Sequence, residues 1–454
     1  MTCATLDHWI QHEAISFSVD SPETDAAIDR MIGALDDSVE LLGFGEALHG
    51  GEEILLLRNR LFQRLAETHG YSAIAIESSF PRARLVNDYV SGSGPASYQE
   101  VQDAGFSHGF GQIEANRELV EWIRRYNADS SHPIQLRFYG FDIPGLQGGI
   151  ASPSQTLHFV LDYLTSIDSI TGQEFRQRID ALLGADFDWE NPAAMADPTQ
   201  SIGLSPAATA LRIALEDLIT ELRLRRPELT AQSNPDRYAE AIHYAVVARE
   251  LLNFHAASAR PSSDLYARLL GIRDAAMADN LAYIVGREHG RGKVLVFAHN
   301  SHLLRGKAVL PWAVWRPAGA YLQEMFGPRY AVIGSAVGVS EANGIGQPEA
   351  GSLEARLTAL PGTAAFIPTH QGQGLPAAEI AALPIRSGNV RNPTYIPLTP
   401  RSFTDFDWLA VLDSTTYSRG GPPLQPPNAA QERLCRRMPE DIRLRFGVSP
   451  VERG

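Results

Sequence analysis

Six short runs, mostly apolar and rich in β-branched residues, limit what this chain can fold into. They are residues 39–44, 73–76, 134–141, 294–298, 330–334 and 408–412. A strand that is apolar on both faces is buried on both faces, the state of a parallel strand inside an α/β sheet. Between the first two runs, residues 52–69 carry Ile54, Leu55, Leu57, Leu61, Phe62 and Leu65 at helical spacing, and Gly70 offers a left-handed helix stop. Pro81 opens a second helical stretch as a first-turn proline, and residues 114–127 form a third amphipathic segment. Strand and helix alternating in this order predict βαβ units and an α/β fold with a mostly parallel central sheet flanked by helices.

From about residue 154 to 282 the strand-like runs stop. Helical periodicity continues through 157–164, 207–224 and 238–254. This segment is expected to be a helical insertion packed over the sheet, forming a second lobe over the active-site cleft. The sheet resumes at Lys293. Residues 338–400, rich in Gly, Pro and Ala, read as loops around one or two short strands. The tail from Gly420, with Pro422, Pro423, Pro426 and Pro427, reads as an irregular wrap. The expected division is 1–150 for the first half of the α/β domain, 151–285 for the helical lobe, and 286–454 for the second half with its C-terminal wrap.

Charge and cysteine usage remove several function classes. Lys plus Arg number 39 and Asp plus Glu 53, a net charge of −14 that repels nucleic acid and anionic membranes. Basic residues cluster only as pairs: Arg124-Arg125, Arg225-Arg226 and Arg436-Arg437. Two cysteines, Cys3 and Cys435, do not make a secreted disulfide framework. No run approaches about 18 apolar residues, and the N-terminus has no basic-then-apolar leader. A cytoplasmic protein acting on a small molecule, with no nucleic acid and no membrane as partner, is the expectation.

In open α/β sheets, ligands bind beyond the carboxyl ends of the strands. Here the first run leads into Gly45-Glu46-Ala47-Leu48-His49-Gly50, the second ends at Glu77, the third at Asp142, and the fourth at His299-Asn300-Ser301-His302. Four strands thus deliver titratable groups to one rim, which favours an enzyme over a binding module. Glu46 beside His49 suits a carboxylate that orients an imidazole and raises its basicity, although it also suits a helix start. Glu77, half buried at a strand end, needs a cation or donors: a salt bridge, or a role orienting His49. Asp142 reads as a cap for the next segment or as a substrate contact. His299 and His302, three apart, can face one cavity with His49, as zinc ligands, proton carriers or oxyanion donors; spacing does not choose among these. Arg58 and Arg273 lie on helices, each readable as a surface charge, but Arg58 sits among apolar neighbours and is expected to reach a carboxylate. The His108-Gly109-Phe110-Gly111-Gln112 turn reads as plain surface or as a substrate loop.

Other motifs fail. Gly43-x-Gly45 lacks the third glycine of a dinucleotide fingerprint, since position 48 is Leu48, and Glu77 comes too late for its acid. There is no nucleophile elbow, P-loop or CxxC. His8 and His12 have zinc-like helical spacing, but Trp9 stands where a metalloprotease has its Glu, and the pair reads as a helix surface.

Taken in order, Gly45-Glu46-Ala47-Leu48-His49-Gly50, Arg58, Ala75-Ile76-Glu77 and Asn87-Asp88-Tyr89-Val90 resemble the erythromycin esterase family. Further along the chain the same holds for Trp122-Ile123-Arg124 with Asn127, Gly140-Phe141-Asp142, Arg273-Asp274-Ala275-Ala276-Met277-Ala278-x-Asn280 and Ala298-His299-Asn300-Ser301-His302. The similarity runs from about residue 40 to 340. It implies an α/β fold with a helical lobe and a deep cleft, and hydrolysis of a macrolide lactone with no metal and no cofactor. His49 matches the general base that activates water, Glu46 and Glu77 its acidic partners, and Arg58, His299 and His302 further active-site positions. Arg273, His108 and Asp142 are the candidates for substrate contact. The family commonly has Thr where this chain has Leu48. Its aromatic-rich stretch after Tyr89 is here Phe106-Ser107-His108-Gly109-Phe110-Gly111, the segment expected to set substrate choice. Against an esterase or lactonase stand three alternatives: a lyase, cyclase or acyl transferase on the same His/Glu set; a zinc hydrolase; and a non-catalytic binding protein.

Overall fold

A computed structural model describes residues 5–143, 150–195, 197–310, 313–389 and 391–424. Cys3, Cys435, Arg436-Arg437 and the tail beyond residue 424, with Pro426 and Pro427, lie outside the described residues. The chain parts into two compact units: residues 1–77, 82–141 and 284–454, and residues 78–81 with 142–283.

The first unit is built on an eight-stranded sheet. Its strands, with a separate hairpin, are β1 (Ile15–Phe17), β2 (Leu41–Glu46), β3 (Tyr71–Ser79), β4 (Arg137–Asp142), β5 (Lys293–His299), β6 (Ala308–Leu310), β7 (Ala313–Trp315), β8 (Tyr330–Val339), β9 (Ala364–Pro368) and β10 (Trp408–Ser414). The sheet order is β1-β9-β10-β8-β2-β5-β3-β4, with β6 and β7 pairing apart. β10, β8, β2, β5 and β3 run parallel, while β9 runs against both neighbours, β10 and β1. The sheet is therefore mostly parallel, and each apolar run of the sequence overlaps one of its strands, although residues 134–136 precede β4. β1 and the β6–β7 hairpin have three-residue strands, too short for a periodic signal.

Every residue of β2 and β3 is buried, the burial expected of strands covered on both faces. The helix Glu52–Thr68 covers one side with Ile54, Leu55, Leu57, Leu61, Phe62 and Leu65, and Gly70 adopts the left-handed backbone that ends it (φ 73°). A Cβ on Gly45 would lie 2.2 Å from Oδ1 of Asn300. The Asn300 amide instead bridges to β8, donating to Ser335 O (2.9 Å) and accepting from Ser335 N–H (3.0 Å). Gly45 thus serves the close approach of β2 to the segment after β5, not a nucleotide.

The second unit is helical. Ser205 before Pro206, and Asn234 before Pro235, open two of its long helices, each with a side-chain cap followed by a first-turn proline. Its core packs Leu157, Leu161, Leu164, Leu211, Leu215, Leu218, Leu222, Ala245 and Leu252. His255 is buried against Trp189 and donates from Nε2 to Ala151 O (2.9 Å); burial pulls its pKa down to about 4. His8 and His12 are both exposed on the helix Leu6–Glu13. Among the described residues, no helix is long and apolar enough to cross a membrane.

Candidate active site

β2, β5 and β3 are adjacent and parallel, so their carboxyl ends lie side by side. Glu46 and His299 are register partners, and Glu77 follows Ile76, which pairs with Phe297. Three strands far apart in sequence thereby place Glu46, His299 and Glu77 on one edge. The loop after β2 adds His49, and the short helix Asn300–Leu303 after β5 adds His302.

The pieces differ in what holds them. His49 Nδ1–H donates to Glu46 Oε1 at 2.5 Å, leaving Nε2 without a hydrogen bond to the described residues. Its side chain is 30% exposed, against 4–6% for Glu46, Glu77 and His302. Burial works against the imidazolium, but the charge and hydrogen bond of Glu46, helped by Glu77, outweigh it and raise the pKa of His49. Glu46 Oε2 is buried and has no hydrogen-bond partner among the described residues.

His299 is bonded at both nitrogens. Nε2–H donates to Thr394 O (2.8 Å), which fixes Nδ1 as the acceptor for the Ser301 hydroxyl (2.7 Å) and Ser301 N–H (3.2 Å). Burial and the neighbouring His49 push its pKa down to about 3, so it stays neutral and positional. Glu77 accepts from His299 N–H at Oε2 (2.8 Å) and lies 3.3 Å from His302 Nε2 at Oε1. The His49 and His299 rings are 5.2 Å apart between centroids. A zinc site on the three histidines would need His299 to give up one of its bonds. Among the described residues, no group of three or more His, Cys, Asp or Glu is placed to hold a metal ion.

Arg58 is 1% exposed and does not reach a carboxylate, contrary to the expectation from its apolar surroundings. Its guanidinium donates to the side-chain oxygens of Asn59 (3.0 and 2.7 Å) and Asn116 (2.7 Å) and lies over Phe297, 4.8 Å from the ring centre. Neutral amide oxygens accept its protons without cancelling its charge, which acts on Glu46 through space. Burial lowers its pKa to about 10, so it remains a cation. Asn59 is its neighbour in the chain, whereas Asn116 comes from the separate helix Glu114–Ala128.

His108 and Gly109 are both left-handed (φ 60° and 71°), in a turn closed by Phe110 N–H donating to Ser107 O (3.1 Å). The turn sets the Phe110 ring edge-on to His49, 5.7 Å between centroids, with the His108 ring tilted against Phe110 at 5.4 Å. The His108 loop thus borders the His49 group. Asp142 and Arg273 belong to the helical unit and pair with each other bidentately, at 2.8 Å on both arms. Both are buried, so Arg273 is not a surface charge.

Asn343, Asn392 and Thr394 were not singled out by the sequence, yet Asn392 and Thr394 grip the His49 backbone and Asn343 holds Asn392. Their signal is slight: an Asn-Pro-Thr turn in a proline-rich loop.

This geometry is that of a mostly parallel α/β enzyme with its polar group beyond the strand ends. The chain belongs to the erythromycin esterase family, whose description it matches over residues 66–415. That stretch holds Glu77, His299 and His302; Glu46, His49 and Arg58 precede it. "Erythromycin esterase type II" of Escherichia coli is 22% identical over 335 residues, covering 72% of this chain and 76% of that protein. Among solved structures, a Bacillus cereus protein superposes with a TM-score of 0.71 at 18% identity, covering 91% of this chain and 98% of its own. A succinoglycan biosynthesis protein gives 0.67 at 18%, covering 91% and 97%. A histidine-to-asparagine mutant of erythromycin esterase EreC in its open conformation gives 0.64 at 17%, covering 89% and 98%. At these identities the three structures establish the fold.

Proposed function

We propose that this chain is a carboxylic ester hydrolase or lactonase that works without a metal or other cofactor, with His49 as the general base for water. The observation that carries this reading is the state of His49: Nδ1 is committed to Glu46 at 2.5 Å, Nε2 is uncommitted, and its ring is the most exposed of the group. In this scheme Nε2 takes a proton from water as the oxygen attacks the ester carbonyl carbon. Glu46 stabilises the imidazolium. Negative charge then gathers on the carbonyl oxygen. His302, as an imidazolium paired with Glu77, would supply a second N–H to meet it, because Arg58 is too enclosed to touch substrate. When the tetrahedral intermediate collapses, the C–O bond breaks and the imidazolium returns its proton to the leaving alkoxide. Arg58 acts as a fixed charge behind Glu46.

The partner is a small molecule; the net charge of −14 supports neither nucleic acid nor an anionic membrane. The name of the Escherichia coli relative makes erythromycin the first substrate to try, followed by other lactones and simple esters, with His108 and Phe110 helping to select among them. The deciding experiment is mass spectrometry of these compounds in heavy-oxygen water, with wild type and His49→Ala. A product heavier by labelled water, absent with the mutant, is expected. A converted product of unchanged mass would replace hydrolysis with a non-hydrolytic reaction.

A further inference from the structure

His49 lies beyond the end of β2, so no sheet ladder satisfies its backbone N–H and C=O. Side chains do so instead. His49 N–H donates to Thr394 Oγ1 (2.9 Å), and His49 O accepts from Asn392 Nδ2 (3.0 Å). The Thr394 hydroxyl in turn donates to Asn392 Oδ1 (2.6 Å), which also accepts from Thr394 N–H (3.1 Å). Asn392 Nδ2 further donates to Asn343 Oδ1 (2.8 Å), and Asn343 reaches Gly50 O (3.4 Å). Asn392, 1% exposed, thus uses both amide protons and both oxygen lone pairs, which leaves it one orientation. Ile396 N–H binds Ala47 O (3.0 Å) on the same loop, and Thr394 O holds Nε2 of His299.

We propose that Asn392 and Thr394 are positioning residues that hold the catalytic loop at His49 and set the proton of His299 on Nε2, leaving His49 as the histidine free to exchange a proton with solvent. The catalytic part of this inference rests on His49 being the base; the bracket itself does not. One short segment fixes two neighbouring imidazoles, one through its main chain and one through its ring. The charged and titratable groups facing His49 are Glu46, Glu77, His299 and His302, with Arg58 behind Glu46. None comes from the bracket, so the bracket acts on geometry rather than on charge.

The test is nitrogen NMR of selectively labelled histidines in the full chain, with His49→Gln and His299→Gln assigning the signals. Wild type is expected to carry protons at Nδ1 of His49 and Nε2 of His299. Thr394→Val keeps the shape and loses the hydroxyl. It should make the His49 Nδ1 proton exchange with water at least tenfold faster and mix the tautomers of His299, and Thr394→Ser should restore both. Asn392→Asp carries an independent test: it keeps an acceptor for Thr394, loses the donor to His49 O, and should speed the same exchange. Wild-type exchange and tautomers in whichever of Thr394→Val and Asn392→Asp folds would overturn the proposal. A changed spectrum beside a fully active His49→Ala would keep the bracket and remove His49 as base. An unchanged spectrum beside a dead His49→Ala would do the reverse.

Discussion

The ends of β2 and β5 are neighbours in the sheet, and each carries a histidine, yet the two imidazoles are prepared for opposite work. Beyond β2, His49 meets a carboxylate at Nδ1, keeps Nε2 uncommitted and has its pKa raised. At the end of β5, His299 meets a hydroxyl and a peptide carbonyl, which use both nitrogens, and its pKa drops to about 3. Burial acts against the charged form in both. A full negative charge at hydrogen-bond distance reverses that effect, and a neutral acceptor does not. Two chemically identical side chains whose rings are 5.2 Å apart thus sit in opposite electrostatic states, the difference on which the proposed roles of base and brace rest.

The comparison breaks most visibly at His49. His49→Ala should lower kcat/KM by about a hundred- to ten-thousand-fold, the usual range for a general base, with a nearly unchanged melting temperature. His299→Ala should instead cost about 2–4 kcal/mol of stability in urea titrations, because it leaves Thr394 O and Ser301 without their buried partner. If the two variants exchanged phenotypes, the assignment of base and brace would be inverted. Glu46→Gln removes the largest influence holding up the His49 pKa, so the acid limb of the kcat/KM profile should move to lower pH; Glu77→Gln should move it the same way by less. An unmoved limb in Glu46→Gln would detach Glu46 from His49.

The smallest effect is on stability against pH. Burial pushes His299 down to about 3, and in the helical unit His255 and His243, whose Nε2 is bonded to Asn280 Oδ1 (2.8 Å), down to about 4. Between those values and about 6.5 the unfolded chain binds more protons than the folded one, so these groups make stability fall as pH drops through that window. His49 has the opposite sign: its contribution is complete below about 6.5 and is lost as pH rises through its elevated folded value. Urea midpoints from pH 7 to 4 should therefore fall, and His299→Ala should flatten that slope.

Much of this was legible because strands buried on both faces have to be apolar throughout. Residues 39–44, 73–76 and 294–298 stand out for that reason, and the acids and histidines that follow them stand out by contrast. Ile15–Phe17 is too short to carry a period, and Ala364–Pro368 sits in a stretch whose composition reads as loop. Arg58 was visible as a buried cation, but its partners were not, since Asn116 comes from a different helix. Thr394 and Asn392 could not be found from local pattern, because their meaning lies in contacts 345 and 343 residues away.

Those separations bear on biosynthesis. Glu77 and His299 meet across 222 positions, and the His49 backbone is held by Thr394 and Asn392, far along the chain. A ribosome emits the β2 loop early but completes the centre only after Thr394 has emerged. The contacts that hold the His49 backbone are therefore among the last of the site to form during translation. A chain cut between residues 142 and 283 would divide Glu46, His49 and Glu77 from His299, His302, Asn392 and Thr394, the arrangement a split reporter requires.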